Sequence, residues 1–346
     1  MRHSAGITRV HVDTPNEYFC FGPVPSRRLG TSLGVNNIPH KTCTYSCIYC
    51  QLGRTIRLSV ERRCFYDWKK IVESVVKTLD SLETPLDYVT FVPDGEPTLD
   101  KCIGKEIEAI KRERKAKIAI LTNASLLWDP EVREELSQAD YVSVKVDAAS
   151  EATWRKVNRP HPSLKLGEVL EGIRELTKEF KGTAISETML VKDVNTDAEE
   201  LENISTFLAS LRLDKAYIAI PVRPPAEPFA QPPTQEQLVA AYNVFSQKLG
   251  TGKVELLNLP EPPKFAAHGE PSDWLLAVVS VHPLRYDYAL RALEKLTHQP
   301  EELIERLLAE GLLSKVTYNQ EIFLIRNFNV KAKGITVDWI KEHSTH

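Results

Sequence analysis

The stretch Cys43-Thr-Tyr-Ser-Cys47-Ile-Tyr-Cys50 is the most distinctive feature of this sequence. It places three of the chain's six cysteines within eight residues, which is typical of metal ligation and argues against a disulfide framework. Three thiolates can hold three irons of a 4Fe–4S cubane and leave the fourth iron free to bind a small molecule. The alternative is a zinc site in which His40 supplies the fourth ligand.

The composition is that of an ordinary globular protein. Of 346 residues, 42% are hydrophobic and 26% are charged. The sequence has no run of about 18 apolar residues that could span a membrane, and its N-terminus has no apolar segment typical of a secretory signal. We therefore expect a cytoplasmic protein with reduced cysteines and no membrane partner.

Charge is unevenly distributed along the chain. The net charge is −3, which does not favour polyanion binding by the protein as a whole. Residues 1–60 nevertheless carry seven basic residues against two acidic ones. This basic excess surrounds the three clustered cysteines.

From about residue 32 to 222, extended apolar runs alternate with segments of helical periodicity. Strands are predicted at 32–38, 88–93, 117–122, 140–147, 183–191 and 216–222, and helices at 66–81, 100–113, 130–137, 164–179 and 197–210. Strand–helix units in series predict a parallel sheet with helical crossovers. The fourth strand alternates Val142, Val144 and Val146 with Tyr141, Ser143, Lys145 and Asp147. This alternation predicts a barrel with an apolar outer wall and a polar lumen.

The remaining segments flank this core. Residues 1–31 form an N-terminal extension with an anion-binding loop, and 223–268 a proline-rich linker that wraps the barrel and holds one helix, at about 234–248. Residues 269–346 contain predicted helices at 273–281, 285–296 and 300–310 and a hairpin of 313–316 and 321–326, a pattern typical of a winged helix. The third helix carries Glu301, Glu302, Glu305 and Glu310. These would repel DNA phosphates, so no DNA partner is expected and a substrate-docking or dimerisation role is favoured.

The cysteine spacing, with Tyr49 directly before the last cysteine, resembles the signature of the radical S-adenosylmethionine (SAM) superfamily. The series of 32–222 resembles that family's partial (β/α)6 TIM-like barrel. The implied fold class is therefore α/β, with a small winged-helix-like domain after the barrel. The resemblance also implies one 4Fe–4S cluster on Cys43, Cys47 and Cys50, with SAM on the open iron. An external electron donor of flavodoxin or ferredoxin type would drive reductive cleavage of SAM to a 5′-deoxyadenosyl radical.

Two further motifs lie at predicted strand ends. Asp94-Gly95-Glu96-Pro97 is similar to the family's Gly-Gly-Glu element, which binds the SAM amino group, with Asp94 in place of the first glycine. Glu96 is interpreted as an orienting residue. Thr122-Asn123 is similar to a Thr-Asn-Gly element in which Ala124 takes the glycine position. Both motifs are therefore predicted to contact SAM.

The fourth strand contributes the remaining SAM contacts that the resemblance implies. Ser143 and Lys145 stand where the family contacts the ribose and carboxylate of SAM, and Tyr49 is expected to pack on the adenine. Lys145 and Asp147 are the candidate catalytic residues. The alternative for this pair is a structural ion pair.

Five arginines are candidate ligands for an anionic substrate: Arg27, Arg28, Arg155, Arg159 and Arg223. The first two stand in a loop fixed by prolines and glycines, where paired arginines could clamp a phosphate or carboxylate. The others follow predicted strands, at the end of a barrel where ligands bind. The alternative for these later arginines is a solvated surface position.

Residues 21–51 as a whole resemble a prokaryotic subgroup of radical SAM proteins that is grouped with wyosine tRNA-base synthases. Those synthases carry three more cysteines before the signature, whereas here only Cys20 precedes it. We therefore predict a single cluster, with Cys64 and Cys102 as buried free cysteines on helices.

Three functions are compatible with these patterns. The first is a radical SAM enzyme that modifies tRNA or another anionic substrate. The second is a radical SAM enzyme that acts on a protein or small metabolite. The third is an iron–sulfur redox sensor that binds DNA.

Overall fold

The computed structural model describes residues 18–82, 85–259 and 261–328. Part of the N-terminal extension, with Arg2 and Arg9 of the basic excess, lies outside the described residues. The same holds for Pro260 of the proline-rich segment and for the tail after residue 328.

The strands, in chain order, are β1 (Cys20–Ser26), β2 (Gly30–Val35), β3 (Thr42–Cys43), β4 (Arg57–Leu58), β5 (Tyr88–Phe91), β6 (Ile118–Thr122), β7 (Tyr141–Lys145), β8 (Thr183–Met189), β9 (Lys215–Ala219), β10 (Val254–Leu257), β11 (Leu284–Arg285), β12 (Leu313–Tyr318) and β13 (Glu321–Arg326). The helices are α1 (Trp68–Ser81), α2 (Ile103–Arg114), α3 (Pro130–Leu136), α4 (Glu151–Val157), α5 (Leu166–Glu179), α6 (Ala198–Ala209), α7 (Gln235–Leu249), α8 (Pro271–Val281), α9 (Tyr286–Leu293) and α10 (Pro300–Ala309).

The largest sheet has eight strands in the order β1-β2-β5-β6-β7-β8-β9-β10. From β2 to β10 each neighbouring pair is parallel, with helices in the connections, while β1 pairs antiparallel with β2. This architecture confirms the predicted α/β class and the partial TIM-like barrel. None of the described helices is long and apolar enough to cross a bilayer.

Two strands of this sheet were not predicted. In β1, prolines at 23 and 25 conceal the strand signal, and the sheet tolerates them because β1 is an edge strand. The strand β10 is a short apolar run inside the proline-rich segment, and it pairs with β9. That segment therefore extends the sheet as well as carrying α7.

The apolar residues divide between two faces of the sheet. Val142, Val144 and Val146 belong to the main core, which the helices cover. Tyr141 belongs to a smaller inner cluster with Leu29, Ile185 and Tyr217. The predicted alternation along β7 therefore separates an outer wall from a lumen.

Residues after 270 form helices α8, α9 and α10 and a three-stranded antiparallel sheet in the order β11-β13-β12. The side chains of Ala277 and Val281 on α8 pack against Phe21 on β1. The winged-helix assignment remains a prediction. The three helices and the hairpin of that prediction are nevertheless present, and α8 packs directly against β1 at the edge of the barrel.

Candidate metal and cofactor site

The three clustered cysteines follow the end of β2, in a loop at the carboxyl ends of the barrel strands. Each sulfur accepts a hydrogen bond from a nitrogen elsewhere in the fold. Asn123 Nδ2 lies 3.6 Å from Cys43 Sγ, Asn158 Nδ2 3.4 Å from Cys47 Sγ, and Lys41 Nζ 3.3 Å from Cys50 Sγ. Such contacts tune an iron–sulfur cluster and hold its ligands in place.

The spacing of these sulfurs distinguishes a cluster from a single ion. Two sulfurs on one tetrahedral zinc lie about 3.8 Å apart, given Zn–S bonds of about 2.3 Å. Among the described residues, the three sulfurs do not all lie within 4.8 Å of one another, with or without His40. His40 instead bonds through Nδ1 to Asp94 Oδ2 at 2.7 Å. The donor set therefore fits a cubane, which separates its cysteine ligands more widely.

Burial favours the protonated form of Cys43 and Cys47 in the metal-free chain. It raises the pKa of the Cys47 thiol to about 12 and the pKa of the Cys43 thiol still further. The sulfurs of Cys43 and Cys47 are therefore protonated before metal binds, and cluster assembly must release these two protons.

The motif at 94–97 follows β5 and is packed against the cysteine loop. The nitrogen of Glu96 donates to the Thr42 carbonyl at 3.2 Å. A Cβ atom on Gly95 would lie 1.9 Å from that same carbonyl oxygen, so only glycine fits. Burial and hydrogen bonding thus fix this element directly beside Cys43.

The carboxylate of Glu96 is fully occupied by protein donors. It accepts bonds from the Thr98 nitrogen and hydroxyl, the Thr122 hydroxyl and the Asn123 nitrogen, at 2.5–3.2 Å. Asn123 in turn donates to Thr44 Oγ1 at 2.7 Å and reaches Cys43. Glu96 thus joins both strand-end motifs to the cluster loop, as an orienting residue would.

Asp147 organises a second network on the other side of the loop. Its Oδ2 accepts bonds from the Tyr49 hydroxyl and from Asn158 Nδ2, the latter at 2.7 Å. Its Oδ1 accepts the Met189 nitrogen at 2.8 Å. This carboxylate positions Tyr49 and Asn158 around the cluster cysteines.

Lys145 enters the lumen beside this network. Its ammonium lies 4.8 Å from the centre of the Tyr49 ring and 2.8 Å from Glu187 Oε1, but 4.0 Å from Asp147. Its closer carboxylate partner is therefore Glu187 rather than Asp147. Burial lowers the pKa of Lys145. Ser143 is buried on the same strand.

Three of the predicted arginines are directed into the barrel. Arg28 pairs with Glu187, and Arg223 pairs with Glu261. Arg27 instead donates to the Leu257 and Leu259 carbonyls and so anchors the end of β10. Burial lowers the pKa of the Arg27 and Arg28 guanidinium groups to about 10, and both remain cationic near neutral pH.

The other two arginines do not enter the lumen. Arg155 is half exposed on α4, where it pairs with Glu151 at 2.6 Å. Arg159 pairs with Glu227, which also binds Arg54. Arg155 therefore occupies a solvated surface position, which was the alternative interpretation of this residue.

Several polar residues of the site were not predicted: Lys41, Asn158, Glu187, Glu261 and His282. The role of Glu187 could have been predicted from the sequence, because it lies two residues after Ile185 on β8 and therefore shares the lumen face of that strand. His282 could not, because it follows α8 in the C-terminal unit. It bonds to Glu261 at 2.9 Å and thereby brings that unit into the site.

The expectation for the remaining cysteines was partly wrong. Cys64 lies in an exposed loop before α1, not on a helix, and forms a disulfide with Cys102 at the start of α2. The two cysteines are 38 positions apart in the sequence, and only the tertiary fold brings them together. No local sequence pattern therefore indicates this pairing. Cys20 is free, and burial raises its pKa to about 11.

Comparison with known proteins places this site in a family. A model described as the radical SAM superfamily matches residues 37–207. A UPF0026 protein of Methanocaldococcus jannaschii is 39% identical over 91% of this chain and 98% of the relative. Another, from Helicobacter pylori, is 31% identical over 79% of this chain and 87% of the relative. A solved radical SAM methyltransferase from Sphaerobacter thermophilus aligns with a TM-score of 0.48 and 17% identity, covering 66% of each chain.

The cysteine loop on a partial parallel barrel therefore defines a member of the radical SAM superfamily, as the sequence predicted. Within it, the chain belongs to the UPF0026 family. Proteins of this superfamily are enzymes that use a 4Fe–4S cluster and SAM, and they generally require an external electron donor. The grouping with wyosine synthases remains a prediction.

The contact from Lys41 to Cys50 leads to a testable effect on the cluster. Lys41→Met removes a cation and a donor to a ligating sulfur, so we expect the reduction potential to fall by about 60 mV, a tenfold change for one electron. Redox titration of the reconstituted protein measures this shift. Lys165→Met, which alters an exposed lysine paired with Glu168, should leave the potential unchanged. Equal potentials in all three proteins would contradict the role given to Lys41.

Proposed function

We propose that this protein is a cytoplasmic radical SAM enzyme that acts on an anionic substrate, with tRNA as the first candidate. Cys43, Cys47 and Cys50 would hold the cluster. When bound, the cluster supplies the electron that cleaves SAM to a 5′-deoxyadenosyl radical. The donor would be a flavodoxin or ferredoxin. The chain's own residues bind and orient the two ligands and exclude competing reactants from the lumen.

The proposal rests on the charge of the lumen. Arg27, Arg28, Lys145 and Arg223 are four cationic groups around three carboxylates, those of Asp147, Glu187 and Glu261. Burial lowers the pKa of His282, so this ring does not add a charge near neutral pH. A partly buried site with a positive excess favours an anionic ligand.

Two donors at the lumen strengthen the proposal. Among the described residues, the Arg223 Nε and the Tyr141 hydroxyl are buried and have no hydrogen-bond partner. Buried donors without a partner are costly, and a ligand oxygen would satisfy them. A phosphate or carboxylate offers such oxygens, and guanidinium groups bind both in bidentate fashion.

The geometry around the cysteine loop is compatible with the SAM contacts that we propose. The element 94–97 would bind the amino group through its backbone, because the Glu96 carboxylate is already occupied. Thr122 and Asn123 would line the same pocket. Tyr49, held by Asp147, would offer its ring to the adenine. Ser143 and Lys145 would face the ribose and carboxylate.

Two assays test the proposal at separate levels. Anaerobically reconstituted protein with SAM and dithionite should yield 5′-deoxyadenosine, and its absence from cluster-loaded protein would refute the enzymatic activity. Comparing tRNA nucleosides by mass spectrometry between a deletion strain and its parent tests the substrate. An unchanged nucleoside profile would reject tRNA and favour a protein or small metabolite.

Arg223 provides a variant test of anion binding. Arg223→Lys keeps the charge but loses the planar guanidinium fork, so we expect the KM for tRNA to rise about tenfold. Arg155→Lys makes the same chemical change on the surface of α4 and should shift the KM by less than about threefold. Measuring the rate of 5′-deoxyadenosine formation at increasing tRNA concentrations gives the KM of each variant. Equal KM values for the two variants would refute an anion site at Arg223.

A further inference from the structure

A second group of metal-ligand side chains lies between the loop before α1 and the start of α2. One ligand atom each of Cys64, Asp100 and Cys102 lies within 4.8 Å of the other two. The two sulfurs are joined as a disulfide in this structure. Once the disulfide is reduced and its two sulfurs separate, they form with the Asp100 carboxylate a donor set that one tetrahedral ion can accept.

Backbone contacts hold these three residues together. Arg63 forms a parallel β-bridge with Asp100, and its nitrogen donates to the Leu99 carbonyl at 3.1 Å. The nitrogen of Lys101 donates back to the Arg63 carbonyl at 3.1 Å. The Cys102 nitrogen donates to Asp100 Oδ1 at 2.8 Å. The backbone therefore positions the donors on both sides, independently of the disulfide.

Glu106 places a second buried carboxyl beside this group of ligands. Its side chain is fully buried, one helical turn after Cys102, and beside the carboxyl of Asp100. Among the described residues, no hydrogen bond of standard geometry reaches its carboxylate oxygens, and the polar side chains that interact with it are those of Asp100 and Asn37, neither of which is a cation. Two adjacent buried acids are unfavourable without a compensating positive charge.

The nearby arginine does not supply that charge to Glu106. Arg62 reaches only the backbone carbonyl of Asp100, at 3.5 Å, and forms its ion pairs with Glu131 and Glu135. A divalent ion on Asp100 would compensate both buried acids at once.

We propose that Cys64, Asp100 and Cys102 bind a zinc ion when the disulfide is reduced. Thiolate ligands favour zinc over magnesium or calcium. Three protein ligands leave one tetrahedral position for water. The site does not include the cluster ligands. Zinc binding would replace the disulfide between the loop before α1 and the start of α2 with a zinc-mediated link between the same two segments.

Reactants can reach the site from outside. A cavity of about 500 Å³ is lined by Thr42, Arg57, Arg63 and Cys64, among others, and Cys64 is exposed. This cavity gives a reductant and an ion access to the sulfur of Cys64.

The exchange balances as follows. A dithiol reductant transfers two electrons and two protons to the Cys64–Cys102 bond, which becomes two thiols, while the reductant becomes a disulfide. Zinc binding then displaces one proton from each thiol. Dithiothreitol serves as the reductant in the test, and a thioredoxin-type protein would serve in a cell.

Zinc analysis of the cluster-loaded protein tests the proposal. The holoenzyme is treated anaerobically with dithiothreitol, supplied with zinc and desalted, and its zinc and iron are measured together. We expect about one zinc per chain after reduction, and about tenfold less without it, at unchanged iron. X-ray absorption at zinc should show two sulfur ligands at about 2.3 Å.

Three variants make the outcome decisive. Cys64→Ser alters an exposed residue and should lower zinc about tenfold or more, and Asp100→Asn should weaken binding while keeping both thiols. Cys20→Ser, the matched control, should retain zinc. Zinc uptake that is indifferent to reduction or to Cys64→Ser would overturn the proposal. Three sulfur ligands would overturn it too, because they would place the ion on the cluster cysteines.

Discussion

Replacing Cys47 by alanine is expected to reduce SAM cleavage to the background rate. Cys47 is one of three cysteines in the loop, and its sulfur is fixed by Asn158 at 3.4 Å. A cubane left with two cysteine ligands loses a bond to iron that water cannot replace with similar strength. The measurement is 5′-deoxyadenosine formed under dithionite, together with iron per chain and the visible absorption of the cluster.

The control for this prediction is Cys20→Ala. Cys20 is, like Cys47, a partly buried free thiol, but it contacts the Ser74 hydroxyl between β1 and α1, away from the cluster loop. We expect this variant to keep its iron and its cleavage rate. Full cleavage by Cys47→Ala would refute the ligand assignment, and loss of the cluster in Cys20→Ala would show that a fourth cysteine takes part.

Gly95→Ala is expected to have the second-largest effect. The added methyl group would sit 1.9 Å from the Thr42 carbonyl oxygen, a backbone atom that cannot move without displacing Cys43. We expect the free energy of unfolding to fall by about 3 kcal/mol. SAM affinity should fall at least about tenfold, because the same backbone would bind its amino group. Denaturant titration and calorimetry give the two quantities.

Gly167→Ala makes the same substitution where space is available. Apart from its chain neighbours and the backbone of its own helix, nothing lies within 4 Å of the Cβ position of Gly167, which is in the first turn of α5. Alanine there should stabilise the protein by about 0.5–1 kcal/mol, because it restricts the unfolded chain and favours the helix. Equal stabilities for the two variants would contradict the close approach of residues 95 and 42.

Much of the barrel could be predicted because its signals are local. Helix α1 illustrates this, since Ile71, Val72 and Val75 recur at helical spacing and are buried in the structure. The alternation along β7 likewise separates core valines from lumen residues. Strand–helix order then limits the topology to a parallel sheet.

The partners within the site could not be predicted, because they depend on tertiary geometry. Lys145 and Asp147 are two residues apart on one face, yet the ammonium selects Glu187 from the neighbouring strand. Arg155 and Arg223 look alike in sequence, but one faces solvent and the other the lumen. The disulfide between Cys64 and Cys102 similarly depends on a contact between two separate loops.

The contact between the first strand and α8 has a consequence for biosynthesis. Phe21 packs on Ala277 and Val281, and Gln51, next to Cys50, donates to the Val281 carbonyl at 3.1 Å. The ribosome makes residues 18–51 long before residues 271–282, so the contact between the end of the cysteine loop and α8 forms only after α8 has been translated. Until then, this contact does not restrain the segment that follows Cys50. In the finished chain, this contact holds the residue next to Cys50 against the end of α8.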